Sequence, residues 1–134
     1  MKSKLIYFDI MGDERGSLIA LEENHNIPFD IKRVFYIYGT QQGIPRGKHS
    51  HYIAKQLLIV LHGSCKVTLD NGKEKQTFLL DSPTFGLYQD ALVWGFMHDF
   101  SEDCVLMVVS DTYYDEKDYI RDYDEFLKEI NDVT

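Results

Sequence analysis

Short apolar runs broken by turn signals recur from residue 4 to residue 110, and helical periodicity is confined to the C-terminal end. IKRVFYIY (31–38) alternates in part and leads into the loop GTQQGIPRG (39–47). QLLIVL (56–61), SCKVTL (64–69) and KQTFLL (75–80) follow, joined by His62-Gly63 and by Asp70-Asn71-Gly72, which suit tight hairpins. Further strands are expected at 84–88, 91–97 and 104–110, with an earlier pair at 4–10 and 17–22 around the turn Asp13-Glu14-Arg15-Gly16. In YYDEKDYIRDYDEFLKEI (113–130), Ile120, Tyr123, Leu127 and Ile130 recur at helical spacing, and Asp115 and Asp118 sit where acids favour a helix start. The pattern predicts an all-β fold: a jelly roll or small antiparallel barrel over about 4–110, with a C-terminal α-helix over about 114–130 docked outside the sheet.

The 134 residues suit a single domain, 1–134, large enough to fold around one core. Cys65 and Cys104 lie in apolar segments without CxxC spacing and read as small core residues of a reducing compartment. No apolar run approaches the ~20 residues of a membrane span, and MKSK lacks a signal peptide's apolar segment. A cytoplasmic protein without membrane association is therefore expected. The net charge of -8 argues against a nucleic-acid partner, but the charge is unevenly spread. Residues 31–69 contain no Asp or Glu and carry Lys32, Arg33, Arg46, Lys48, Lys55 and Lys66 with His49, His51 and His62. A positive segment in an acidic protein suggests a local site for an anion.

The most informative string is G-I-P-R-G-K-H-S-H, Gly43 to His51. On a strand, His49 and His51 project to the same face, beside whatever Arg46 and Lys48 attract. The spacing resembles the first motif of the cupins, in which Gly precedes HxH, a Glu follows, and Gly closes the hairpin. Gly43, His49, His51 and Gly63 hold their places, but Gln56 stands where a metal-binding Glu is expected. A neutral amide is a poor ligand for a divalent metal, so neither metal nor other cofactor is expected.

Longer strings narrow the resemblance. RGSLIALEE (15–23), NIPFDIKRVFYI (26–37), PRGKHSH (45–51), LHGSCKVTLD (61–70), LDSPTFGLY (80–88), MHDFSEDCVLMVVS (97–110) and YYDEKDYIRDYDEF (113–126) resemble the dTDP-4-keto-6-deoxyglucose 3,4-ketoisomerases, the WxcM-like branch of the sugar-nucleotide cupins. The resemblance implies a metal-free jelly-roll homodimer that moves a carbonyl from C4 to C3 of a dTDP-linked 6-deoxyhexose. A 3-amino sugar for a surface polysaccharide or S-layer glycan would follow. It implies that the paired histidines of the family fall on His49 and His51.

The reaction needs a base near neutrality, and histidine starts near 6.5. The reading assigns His51 as the base and His49 as shuttle or hydrogen-bond donor, with the reverse order open. Arg15, Arg33 and Arg46 are candidates for the diphosphate, because a guanidinium binds phosphate oxygens bidentately. Tyr36, Lys48, Gln56 and His98 are further candidates for substrate contact. The chain departs from the family pattern at Lys55, before Gln56, and at Gly95 and Phe96, where the family commonly has a WHEM-like string. Alternative readings are a 3,5-epimerase on the same substrate class and a non-catalytic sugar-nucleotide-binding cupin. A metal-dependent cupin oxygenase is disfavoured by Gln56.

Overall fold

The structure, a computed structural model, describes residues 3–132. Its strands are β1 (Lys4–Tyr7), β2 (Met11–Asp13), β3 (Gly16–Leu18), β4 (Arg33–Ile37), β5 (Arg46–His51), β6 (Gln56–His62), β7 (Cys65–Asp70), β8 (Lys75–Leu80), β9 (Phe85–Gln89), β10 (Trp94–His98), β11 (Val105–Ser110) and β12 (Tyr119–Ile120). One turn of 3-10 helix (Glu116–Asp118) precedes β12, and the helix α1 (Tyr123–Asp132) follows it. One antiparallel sheet has the order β1-β9-β6-β11-β4 and the other β12-β5-β10-β7-β8, while β2 and β3 form a separate hairpin. This is the expected jelly roll with a C-terminal helix.

The two sheets close on Leu58, Val60, Val67, Leu69, Leu87, Leu106 and Val108, all at most 3% exposed. On β6 the residues between them, Leu57 and Ile59, are buried on the opposite face beneath Ile27 and Phe29. The first sheet is covered on both sides, which is why QLLIVL reads as a continuous apolar run and not an alternating one. The covering segment is irregular. Asn26 accepts from the Glu22 N–H (2.7 Å) and donates to the Ala20 carbonyl (2.7 Å), so the strand expected at 17–22 stops at Leu18.

Two other boundaries move for local reasons. The strand expected at 91–97 begins at Trp94, because Leu92 adopts φ 58° in a tight turn. The helix expected from 114 begins at Tyr123, because Asp122 supplies the N-cap and accepts from the N–H groups of Asp124 (2.8 Å) and Glu125 (3.3 Å). Asp115 caps only the 3-10 turn, and Asp118 bonds elsewhere. The helix docks through Phe126, fully buried against Trp94 and Ile120 on the outer face of the second sheet. Among the described residues no helix is long and apolar enough to cross a membrane.

Gly63 turns the hairpin between β6 and β7 at φ +72°, and a Cβ there would lie 2.9 Å from the Cα of Cys104. Neither the conformation nor the backbone neighbour yields readily to a methyl group. Gly63→Ala is expected to destabilise the fold by about 1–3 kcal/mol, read as a lower urea midpoint with unchanged m-value.

Candidate active site

β5 and β10 pair at Gly95↔His49 and Met97↔Arg46 with a register shift between. Gly47 and Lys48 together therefore oppose Phe96, which is a β-bulge on β5. Gly47 holds it at φ +74°, and a Cβ there would lie 2.6 Å from Met97 Cε and 3.5 Å from His49 Cε1. The R-G-K-H string thus uses glycine to bend the strand and to leave room for the first imidazole of the pair.

The bend turns His49 into a cavity of about 260 Å³, lined by β4, the edge of the first sheet, and β5 of the second. Phe35, Ile37, Leu58, Val67 and Val108 form its apolar walls. Its polar lining comes from Arg46, His49, Gln56, Gln89, Tyr119 and Arg121. Gln56 and Gln89 face each other across β6 and β9. The amide of Gln89 donates to the Val93 carbonyl (3.1 Å), whereas that of Gln56 makes no hydrogen bond to the described residues.

His51 does not line this cavity. It lies behind His49, 3% exposed, with the rings 4.8 Å apart edge to face, and its buried Nε2 has no partner among the described residues. Both imidazoles are pushed down from 6.5 to about 4, chiefly because burial penalises the charged form. His51 and Arg121 add to the effect at His49, against a small opposing pull from Glu116, and Arg33 and Arg121 add to it at His51. At neutral pH both rings are uncharged.

The segment after β11 forms a wall of the site. β12 pairs with β5 in the register Tyr119↔His51 and Ile120↔Ser50. Asp118 fixes that register from one side: its carboxylate accepts from the N–H groups of Ile53 (2.8 Å) and Ala54 (3.1 Å), just after β5. The Tyr119 ring packs 5.0 Å from His49 and 4.5 Å from His51. The Arg121 guanidinium sits 4.5 Å from the centre of that ring and bonds Glu116 through two nitrogens (2.7 and 2.9 Å).

Of the residues singled out in the sequence, His49, Arg46 and Gln56 line the cavity. Arg33 is half-buried on β4, its guanidinium 5.1 Å from the Phe35 ring and 5.7 Å from Tyr114, close enough to His51 to influence it. Four others lie elsewhere. Tyr36 is 65% exposed against Tyr38, because alternation on β4 turns Arg33, Phe35 and Ile37 inward. Lys48 occupies the bulge and reaches the Phe96 ring (5.9 Å) in an outer groove with Trp94 and Tyr123. His98 bonds Thr68 (2.7 Å) and does not reach the cavity. Arg15 is at the tip of the β2–β3 hairpin, paired with Asp13 (2.6 Å) and outside the cavity of its own chain. Gly95 and Phe96 do line the cavity, whereas the exposed Lys55 does not. Tyr119, Arg121 and Gln89 escaped the sequence reading. The alternation Tyr119-Ile120-Arg121 is a strand signal, masked by the helical spacing around it.

An antiparallel jelly roll whose cavity holds one imidazole, backed by a second, and two carboxamides defines a cupin with an interior binding cavity. The chain belongs to the FdtA family (WxcM-like, C-terminal), whose model matches residues 1–131. It is 55% identical over 134 residues to the TDP-4-oxo-6-deoxy-alpha-D-glucose-3,4-oxoisomerase of Aneurinibacillus thermoaerophilus, covering 100% of this chain and 96% of that one. Its fold superposes on the 3,4-ketoisomerase from Helicobacter canadensis with a TM-score of 0.95, at 44% identity over 98% of both chains. It also matches a His-to-Asn mutant of the 3,4-ketoisomerase QdtA from Thermoanaerobacterium thermosaccharolyticum, in complex with TDP-4-keto-6-deoxyglucose. There the TM-score is 0.94 and the identity 45%, over 97% of this chain and 94% of that one.

Because burial favours the neutral imidazole, the basic form persists as pH falls, until the lowered pKa is reached. For a reaction using His49 as base, kcat/KM is expected to fall on an acid limb near pH 4 and not near 6.5. A pH–rate profile of the free enzyme checks this.

Proposed function

We infer that the protein is an isomerase converting a TDP-linked 4-keto-6-deoxyhexose to its 3-keto isomer. The observation that carries the reading is the 55% identity to a 3,4-oxoisomerase across the whole chain. The geometry supports His49 as the base, since it is the histidine of the pair that lines the cavity. An uncharged imidazole takes the proton from C3, the C3–H electrons form the C3=C4 double bond of an enediol, and the same ring, its N–H exchanged with solvent, delivers a proton to C4. His51 orients and insulates His49 from behind. Arg46, on the cavity wall, suits the diphosphate, with Arg33 a second cation on the facing strand. Gln56 offers an amide to the sugar oxygens. The reaction needs no electron acceptor, since one carbon is oxidised as its neighbour is reduced.

The 3-keto product is chemically ready for amination at C3, which fits a place in deoxyamino-sugar synthesis for a surface glycan, in the cytoplasm with the nucleotide sugar pool. We also propose a homodimer. The β2–β3 hairpin is exposed throughout, and an isolated hairpin is marginal in water. Ile10, Met11 and Leu18 are at least half exposed, beside an apolar hollow of about 420 Å³ lined by Phe8, Ile19, Leu21, Ile59 and Met107. A second copy covering this face would bury the hairpin and give Arg15 a route to a neighbouring cavity.

Incubation with TDP-4-keto-6-deoxyglucose in deuterated water, followed by NMR, tests the reaction. The expected result is a 3-keto sugar with deuterium at C4. His49→Asn is expected to lose at least ~100-fold in rate, and more than His51→Asn. Exchange at C5 would replace this reading with an epimerase, and saturable binding without exchange would replace it with a non-catalytic binder. Light scattering is expected to give twice the 15.7 kDa chain mass, reduced to one chain in Leu18→Asp.

A further inference from the structure

Moving the carbonyl between neighbouring carbons relocates two hydrogens, one from C3 to C4 and one from O3 to O4. His49 accounts for the first only. Resting on the ketoisomerase reading, we propose that Tyr119 is a further catalytic residue, whose hydroxyl carries the second proton between the two oxygens.

Tyr119 lines the same cavity as His49 and packs against it at 5.0 Å between ring centres. Its backbone is held in the β12–β5 ladder opposite His51. Its ring is confined by both imidazoles and by the Arg121 guanidinium at 4.5 Å. Arg121 is itself held by two bonds to Glu116, which also accepts from the Tyr114 hydroxyl (2.7 Å). The phenol is thus braced like a working group, yet its hydroxyl makes no hydrogen bond to any described residue. The other half-buried tyrosines, Tyr52, Tyr88 and Tyr123, each direct theirs to a carboxylate: Glu125, Asp90 and Asp70. Tyr119 is the exception, and it is the one beside the base.

The steps balance. As His49 takes the proton from C3, the C3–H electrons form the C3=C4 bond and the carbonyl electrons move to O4. The Tyr119 hydroxyl gives its proton to O4, leaving a neutral enediol, a phenolate and an imidazolium. In the second half the phenolate takes the proton from O3, the O3 electrons form the new carbonyl, and the imidazolium gives its proton to C4. Both side chains end as they began. Without the hydroxyl, O4 would carry its negative charge through the whole life of the intermediate, and the O3 proton would have no side chain to carry it to O4.

Tyr119→Phe keeps the ring that packs on the imidazoles and removes only the hydroxyl. Steady-state kinetics with TDP-4-keto-6-deoxyglucose are expected to show kcat lowered ~100-fold with KM changed less than about threefold. Calorimetric titration with TDP is expected to give the wild-type affinity, which excludes a folding defect. Wild-type kcat in Tyr119→Phe overturns the assignment while leaving His49 as base intact. An inactive wild-type enzyme on this sugar overturns the ketoisomerase reading, and this assignment with it.

Discussion

Two hydrogen bonds from the backbone of Ile53 and Ala54 to one carboxylate, that of Asp118, organise the site. They anchor the chain after the barrel to the loop that leaves β5. The short pairing of β12 with β5 then has a fixed register, and the register decides which side chains meet. A slip of one residue would present Ile120 to the imidazoles and turn Tyr119 away. The bulge at Gly47 is the matching constraint on the other flank, since it aims His49 into the barrel. Between these two fixed points lie the residues that the proposed chemistry uses.

Much of this was legible in the sequence. The hairpins at His62-Gly63 and Asp70-Asn71-Gly72, the strand 75–80 and the HxH pair depend on local rules, so a local reading found them. The acid-free stretch 31–69 supplies Arg33 and Arg46, on two strands that face one another across the cavity. What escaped depends on tertiary competition. Asp115 and Asp118 look like helix-start acids, but Asp118 is drawn to backbone donors more than sixty residues earlier in the chain. The helix therefore waits for Asp122, and the freed segment becomes a strand that carries Tyr119 and Arg121. Which member of the HxH pair meets the cavity was likewise beyond reach. Strand alternation puts both on one face, and the pairing of Tyr119 with His51 in the β12–β5 ladder, which sets that ring against both imidazoles, is a tertiary feature that alternation does not report.

The acidic C-terminal region is also less of a solvated surface than its composition suggests. Glu116 holds Arg121, Asp118 and Asp122 satisfy backbone N–H groups, and Asp70 accepts from Tyr123 across the groove beside α1. The net charge of -8 thus includes carboxylates that shape the site without entering it. Among the described residues no carboxylate lines the cavity itself, so an anion there meets guanidinium groups, amides and neutral rings.

In the proposed reaction, the burial that keeps His49 uncharged also makes it a feeble proton acceptor, since a lowered pKa is a lowered affinity for the proton it would remove. An approaching diphosphate changes that balance. Its negative charge favours the imidazolium and offsets the guanidinium groups that oppose it. On that proposal the ligand would strengthen the base that acts on it. The same carbon acid without a phosphate tail would meet a weaker one, so the proposed chemistry would extend selectivity for a nucleotide-linked sugar beyond binding into the proton transfer itself.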